Sequence, residues 1–374
     1  MSYLPTVERY ETVDLAAAFA ATAADDVARA LGRDTLTERD YLALLSPAAQ
    51  PFLEAMAQRA HALTRQHFGN AVSLFTPLYV SNYCTNHCSY CSFAASHRIH
   101  RRHLTLPEVE AEAERIAAAG LRQLLLLTGE APRKASIPYL EQCARLLQRY
   151  FSTLGIEIYS LTQDGYARLI AAGVDSLTLF QETYDRPLFA TLHQGGPKGD
   201  YAFRLDSQER ACRAGIRGAS VGALLGLAEP RRDAFLTGLH ARYLQDTFPS
   251  VEIASSFPRI RPFAGSFQPH YDVDDRLFVQ LILAFRLFLP RAGITISTRE
   301  RAAFRDRLVP LGATRLSAGV STAVGGHGGD PSTTQFEIAD ERSADELAAD
   351  LARLGYQTVR HDWNHRYLEQ PAHA

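Results

Sequence analysis

Three cysteines stand within eight residues, in the run Cys84-Thr-Asn-His-Cys88-Ser-Tyr-Cys91. Iron–sulfur clusters are held by thiolates, and a cubane has four iron corners to fill. Three thiolates this close can wrap one face of a cubane and leave its fourth iron without a protein ligand. An open coordination position makes a metal centre reactive, as it does in catalytic zinc sites. Zinc itself is the alternative, with His87, Cys143 or Cys212 as a fourth ligand. A plain electron-transfer cluster would want a fourth cysteine nearby, and none lies between 92 and 142. Cys143 falls with Leu140, Leu146 and Leu147 on the apolar face of a helix pattern and reads as a core thiol, as does Cys212. No cysteine follows 212, which excludes a second cluster near the C-terminus.

The elements that must position this loop have a regular pattern. Residues 1–70 read as helices: an Ala-rich stretch over Ala16–Leu31, a capping box at Thr37–Asp40 and a helix over Phe52–His67. An extended apolar run, Leu74–Val80, then leads directly into the cysteines. Seven further strand patterns follow: Gln123–Thr128, Ile156–Ser160, Ser176–Gln181, Ala219–Leu225, Val251–Ser256, Ile294–Thr298 and Thr314–Ala318. Helix patterns alternate with them, several ending at a glycine expected to cap the helix in the left-handed conformation (Gly120, Gly155, Gly173, Gly215, Gly293). Eight strand–helix repeats point to an α/β fold, a (β/α)8 TIM-type barrel over 71–320. The N-terminal helical extension covers 1–70, and 321–374 closes the barrel as a helical tail. A doubly wound open sheet is the alternative. Active sites of such barrels lie at the C-terminal strand ends, where the cysteines fall.

Charge narrows the classes. A formal net charge of −2 gives no reason to expect a polyanionic partner. The most basic stretch, His97–His103, is either a solvated loop face or a docking patch for an acidic electron donor. No apolar run approaches the roughly 20 residues of a membrane span. No signal peptide is visible, so a cytoplasmic location with reduced thiols is expected. An odd count of five cysteines suits a metal site better than a disulfide framework.

With its flanks, Leu78 to Phe93, the cysteine loop resembles the aromatic amino-acid lyase branch of the radical S-adenosylmethionine (SAM) superfamily. Within that branch the chain is most similar to the 2-iminoacetate synthase (tyrosine lyase) family of thiazole biosynthesis, from about residue 70 onward. The other landmarks are Leu127-Thr-Gly-Glu130, Phe180-Gln-Glu-Thr-Tyr184, Gly222 to Leu227, Phe257 to Pro262, Ser297-Thr-Arg-Glu300, Phe304-Arg-Asp306 and His361-Asp-Trp363. The hydrogenase-maturation tyrosine lyases share several of these but add a C-terminal cysteine cluster.

The resemblance implies a [4Fe–4S] cluster on Cys84, Cys88 and Cys91, with SAM on the open iron. Thr128, Gly129 and Glu130 would receive the SAM ammonium, with Thr in place of the superfamily's first Gly; a capping turn is the plainer reading. Glu182 and Arg204 would contact SAM, the arginine through its carboxylate, unless they are a simple ion pair. Gly222 and Gly226 would let the adenine approach the backbone, with Leu227 also in contact with the cofactor and Phe93 near the adenine ring; packing roles compete with the glycine and Phe93 assignments. Arg299 and Ser317 would grip the substrate carboxylate, with Arg305–Asp306–Arg307 as a rival group. His361 and His365, spaced i, i+4, suit a tail helix over the barrel mouth better than a metal. The implied reaction splits the Cα–Cβ bond of L-tyrosine into 2-iminoacetate and p-cresol, beginning at the amino nitrogen. Flavodoxin or ferredoxin would donate electrons, and thiazole synthase would receive the labile imine. Cleavage of another aromatic amino acid such as tryptophan, sulfur insertion, a non-catalytic electron carrier and a zinc-binding module are the alternatives.

Overall fold

The computed structural model describes residues 2–328 and 331–361. Eight parallel strands close into a barrel: β1 Ala71–Ser81, β2 Gln123–Thr128, β3 Thr153–Glu157, β4 Ser176–Thr178, β5 Gly218–Gly222, β6 Glu252–Ser256, β7 Gly293–Ile296 and β8 Arg315–Ser317. Closure is made by β1, which pairs with β8 over Ser73–Phe75 and with β2 from Thr76 onward. A strand covered by helices on one side and by the barrel interior on the other is apolar almost throughout, and all but two residues of β1 are buried. A parallel crossover needs a helix, which is why the chain alternates so evenly.

Every expected strand is present, though several are shorter at their C-terminal ends; β4 and β8 have three residues each. Gln181 and Leu225, expected inside strands, lie in the loops of the barrel mouth. A ninth strand, β9 Gln357–Val359, was not expected; it pairs with Ala71–Ser73 beside the barrel. Gly120, Gly173 and Gly215 have positive φ, as helix caps should. Gly155 and Gly293 do not: they are strand residues, and a Cβ on Gly155 would lie 2.8 Å from the Ser176 hydroxyl of the neighbouring strand. Close strand packing, not helix capping, explains that glycine.

The Ala-rich N-terminal stretch is two helices, Leu15–Ala20 and Ala24–Leu31, because Ala23 is extended and donates its N–H to Asp26 (3.1 Å). The box at Thr37–Asp40 forms as expected, each residue satisfying the other's backbone N–H. These helices pack on two outer helices of the barrel, Pro230–Thr247 and Asp275–Phe288. Tyr41 stacks on Phe288 at 4.3 Å and donates its hydroxyl to the Ala234 carbonyl (2.9 Å). Tyr3 stacks on His240 at 4.3 Å. In the tail, Ala344–Arg353 is helical. His361 is exposed, and His365 lies outside the described residues.

Candidate active site

The cysteine loop leaves the end of β1 and is tied down by its neighbours. Thr85 donates both its N–H (2.8 Å) and its hydroxyl (3.0 Å) to the Glu130 carbonyl after β2, and Asn86 donates to the Glu130 carboxylate (2.6 Å). On its other flank, His87 and Ser89 donate backbone N–H groups to the carbonyls of Gly195 and Leu192. Gly129 lies under the loop with no room for a side chain, since a Cβ there would be 2.5 Å from the Tyr83 carbonyl oxygen. Thr128 donates to the carbonyls of Gly129 (3.0 Å) and Ser81 (3.4 Å). Thr128, Gly129 and Glu130 therefore brace the loop that carries the cysteines.

Arg101 holds the loop's far side. Its guanidinium donates to the carbonyls of Asn82 (2.6 Å), Ala94 (2.7 Å), Phe93 (2.9 Å) and His97 (3.3 Å). Arg102 pairs with Glu108 at 2.8 Å, and the His103 ring packs against Tyr139. The basic stretch is thus largely structural, with Arg98 and His100 exposed.

All three thiols are free, Cys88 buried and the other two half-buried. Burial pushes Cys88 up to about 12, with its two neighbours adding to the rise and Lys198 opposing it. Burial raises Cys91 as well. Thiols so placed ionise only against a strong positive centre. Among the described residues no three His, Cys, Asp or Glu side chains stand close enough to share one metal ion. Cys84 and Cys91 both act on the Cys88 thiol through space, so the three sulfur groups share one end of the loop. The residues present fit a three-thiolate cluster.

Beside Cys91 opens a cavity walled by Tyr90, Phe180, Glu182, Lys198 and Ile260. Among the described residues Glu182 is the one non-glycine with positive φ (72°). Such strain costs on the order of 1–3 kcal/mol and persists only where the surroundings enforce it. Its carboxylate takes Lys198 Nζ at 2.6 Å and Arg204 Nη2 at 3.1 Å, while Arg204 Nε donates to the Phe180 carbonyl (2.9 Å). Burial disfavours the charge, but Lys198 and Arg204 together hold the carboxyl below the usual carboxylate range. The cavity wall thus carries an ionised carboxylate and two fixed cations, suited to a zwitterionic ligand.

A second cavity lies deeper in the barrel, walled by Tyr79, Leu125, Leu127, Thr178, Ser297 and Phe336. Glu157, Phe180, Pro258, Arg299, Gln335 and Phe336 line both cavities. Arg299 stacks on the Phe336 ring at 3.5 Å and donates to the Arg259 carbonyl (3.4 Å). Ser317 accepts from the Thr298 N–H at 3.1 Å and lines the deeper cavity. Tyr79 donates to Gln335 (2.7 Å), whose amide lies 4.0 Å from Cys91 Sγ. Another cavity, of about 680 Å³, opens at the opposite end of the barrel and shares Thr178, Ser220, Thr295 and Arg315 with the deeper one. It lies away from the cysteines.

Several expectations change here. Arg305 is fully buried behind β7 and β8, bonded to Asp340 and to the carbonyls of Ile296 and Ser317, and reaches neither cavity. Asp306 pairs with Arg342 (2.9 Å), so the rival carboxylate-binding group is scaffold. Phe93 is buried edge-on against Tyr79 (6.0 Å) and lines neither cavity; Tyr90 does. A Cβ on Gly222 would lie 2.5 Å from the Ser256 carbonyl and 2.8 Å from Phe180, so close packing by itself calls for glycine there. Leu227 is fully buried with Leu192 and Leu224, and Tyr90 packs on that cluster. Cys143 and Cys212 are buried core thiols. Sequence reasoning missed Lys198, in the loop Gly195-Gly-Pro-Lys-Gly199, where a lone lysine among turn residues was the available signal. It also missed Glu157, which ends β3 and carries no motif.

Among the described residues no helix is long and apolar enough to cross a membrane. Residues 78–234 match the radical SAM superfamily, and 256–357 the biotin and thiamin synthesis associated domain. The chain is 40% identical to 2-iminoacetate synthase of Salmonella typhimurium and 41% identical to that of Escherichia coli, over 91% of this chain and of each relative. The crystal structure of HydG, a maturase of the [FeFe]-hydrogenase, superposes with a TM-score of 0.83 at 30% identity, covering 95% of this chain and 78% of that one. Methylornithine synthase shares the fold at a TM-score of 0.72 and 20% identity, over 92% of this chain and 99% of that one.

Proposed function

Because the chain belongs to the 2-iminoacetate synthase family, and is a radical SAM lyase with a [4Fe–4S] cluster, we propose that it cleaves the Cα–Cβ bond of L-tyrosine, yielding 2-iminoacetate and p-cresol. The 2-iminoacetate serves the thiazole of thiamine. When bound, the cluster and SAM supply a 5′-deoxyadenosyl radical, with methionine as by-product.

The chain's own residues prepare the two partners. Cys84, Cys88 and Cys91 would hold the cluster, and Glu130 and Arg101 keep their loop in place. Glu182, Lys198 and Arg204 present fixed charges to the amino and carboxylate groups of SAM, and Tyr90 offers an aromatic wall. Arg299 holds the substrate carboxylate with help from Ser317, and the aromatic side chain extends past Leu125 and Leu127. Burial among side chains keeps water from the reacting atoms. In this arrangement 71–320 is the catalytic barrel, the described residues of 1–70 are its outer helical support and the described residues after 320 its closing segment.

The observation that carries the reading is the common wall. Arg299 borders both the cavity beside Cys91 and the apolar cavity below it, so an amino acid held there meets the SAM side with its polar end. The imine hydrolyses in water, so direct transfer to thiazole synthase follows, with flavodoxin or ferredoxin as electron donor. Competition between L-tyrosine and L-tryptophan in the reconstituted enzyme tests the substrate. p-Cresol as the dominant product supports tyrosine; 3-methylindole in its place would move the assignment to tryptophan.

A further inference from the structure

The wall between the two cavities contains a carboxylate with a different standing from Glu182. Glu157 ends β3 beside Leu127 of β2 and lines both cavities. Glu182 is tied to Lys198 and Arg204, whereas the Glu157 carboxylate makes no hydrogen bond or ion pair among the described residues. Glu157 is half-buried, and a carboxylate partly withdrawn from water is costly unless a cation meets it. Arg299 shares the wall but stacks on Phe336 and donates to a backbone carbonyl instead. Together the two residues offer one anionic and one cationic contact to the same two cavities, which matches the head of a zwitterionic amino acid.

We propose that Glu157 receives the α-ammonium of the amino-acid substrate and takes one of its protons, leaving a neutral amine toward the cavity beside Cys91. This rests on the lyase reading above and assigns a general base to it. One N–H bond breaks, its electron pair stays on nitrogen, and the proton moves to a Glu157 oxygen. An ammonium and a carboxylate become an amine and a carboxylic acid, and no electron is gained or lost. Removal of a hydrogen atom from nitrogen is far easier from an amine than from an ammonium, so the proton has to leave first. In water this transfer would be uphill. In a half-buried wall, neutralising both partners relieves part of the desolvation cost of each.

The surroundings of Glu157 favour that role. Burial, and then Glu182, push its carboxyl up to about 7, while Arg299, Arg204 and Lys198 pull the other way. Tyr79 of β1 faces it as well. A group poised near neutral pH can both accept and retain a proton.

The test uses reconstituted holoenzyme carrying Glu157→Gln, with SAM, reductant and L-tyrosine between pH 6.5 and 9.5. At pH 7 p-cresol formation falls about 100-fold, the usual scale for a lost general base, while cluster absorbance and SAM binding stay unchanged. Wild-type turnover falls below about pH 7 as Glu157 protonates. The variant's rate instead climbs with pH as free amine accumulates, so the gap narrows. Calorimetry with L-tyrosine and with 3-(4-hydroxyphenyl)propanoate, which lacks the ammonium, gives a readout independent of turnover. Glu157→Gln should lose most of the wild-type preference for tyrosine over that analogue and keep its discrimination between tyrosine and phenylalanine. A variant slowed equally at every pH, or one that keeps the ammonium preference, overturns the proposal. Loss of discrimination against phenylalanine alone would also overturn it, by placing the carboxylate at the phenol. The same binding comparison with Glu157→Asp decides the matter should the glutamine variant fail to fold. If the wild type makes no p-cresol, the lyase reading fails, while the ammonium comparison still stands or falls separately.

Discussion

Gly129→Ala adds one methyl group at a place where the structure leaves none to spare. The new Cβ would sit 2.5 Å from the Tyr83 carbonyl oxygen and 3.3 Å from Cys84 Cβ, whereas ordinary contact begins at 3.4 Å. The cysteine loop and the end of β2 therefore have to part by about 0.9 Å, the difference between 3.4 and 2.5. Yielding is hard, because the loop is pinned from below by Glu130 and from the far side by Arg101. Backbone conformation adds nothing to the penalty, since Gly129 does not have positive φ. A displacement of about 1 Å near reacting groups costs on the order of 100-fold in rate. The assay is 5′-deoxyadenosine release under reducing conditions, read beside iron content per chain. Gly32→Ala, where the nearest atom stands at 3.6 Å, serves as control and should match the wild type. Wild-type iron content and wild-type deoxyadenosine release in Gly129→Ala would refute this account of the loop.

Other consequences are as direct. Lys198→Met leaves Glu182 with Arg204 as its partner, so SAM affinity should fall at least tenfold by titration of the holoenzyme, with iron content unchanged. Arg299→Lys keeps a charge but loses the planar fork and its stacking on Phe336; the KM for tyrosine should rise more than tenfold while SAM binding is preserved. Asp233 is buried and pushed up to about 7, chiefly by burial, with one carboxylate oxygen lacking a partner. A carboxyl raised in the folded state binds its proton more tightly there than in the unfolded chain. Its contribution to stability is therefore lost as pH rises from the ordinary carboxylate range toward 7. Asp233→Asn should raise Tm at pH 8 relative to the wild type and give a smaller gain at pH 5, where only part of the loss has accrued.

The barrel was legible because its signals are local. Apolar runs mark the strands, amphipathic periods mark the helices, and Gly120, Gly173 and Gly215 stop three of those helices with positive φ. The same reasoning failed at Gly155, where the constraint is a hydroxyl on the next strand, 21 residues away in the chain. Cys84, Cys88 and Cys91 stood out by spacing, Glu182 and Arg299 by the motifs around them, and Arg204 by its place just before a helix pattern. Glu157 and Lys198 have no such company. Glu157 is one residue at the end of an ordinary strand, and only barrel closure brings it to the wall it shares with Arg299. Lys198 reaches Glu182 across a loop whose glycines and proline resemble a simple turn. Tyr90 and Phe93 are both aromatic and three residues apart, and only the turn of the loop decides that Tyr90 faces the cavity and Phe93 the core.

The central claim is that an open cluster on three cysteines splits tyrosine. Anaerobically reconstituted enzyme, given SAM, a low-potential reductant and L-tyrosine, should release p-cresol and 5′-deoxyadenosine in equal amounts, and Cys88→Ala should release neither. Deoxyadenosine without p-cresol in the wild type, or p-cresol from the cysteine variant, would contradict it.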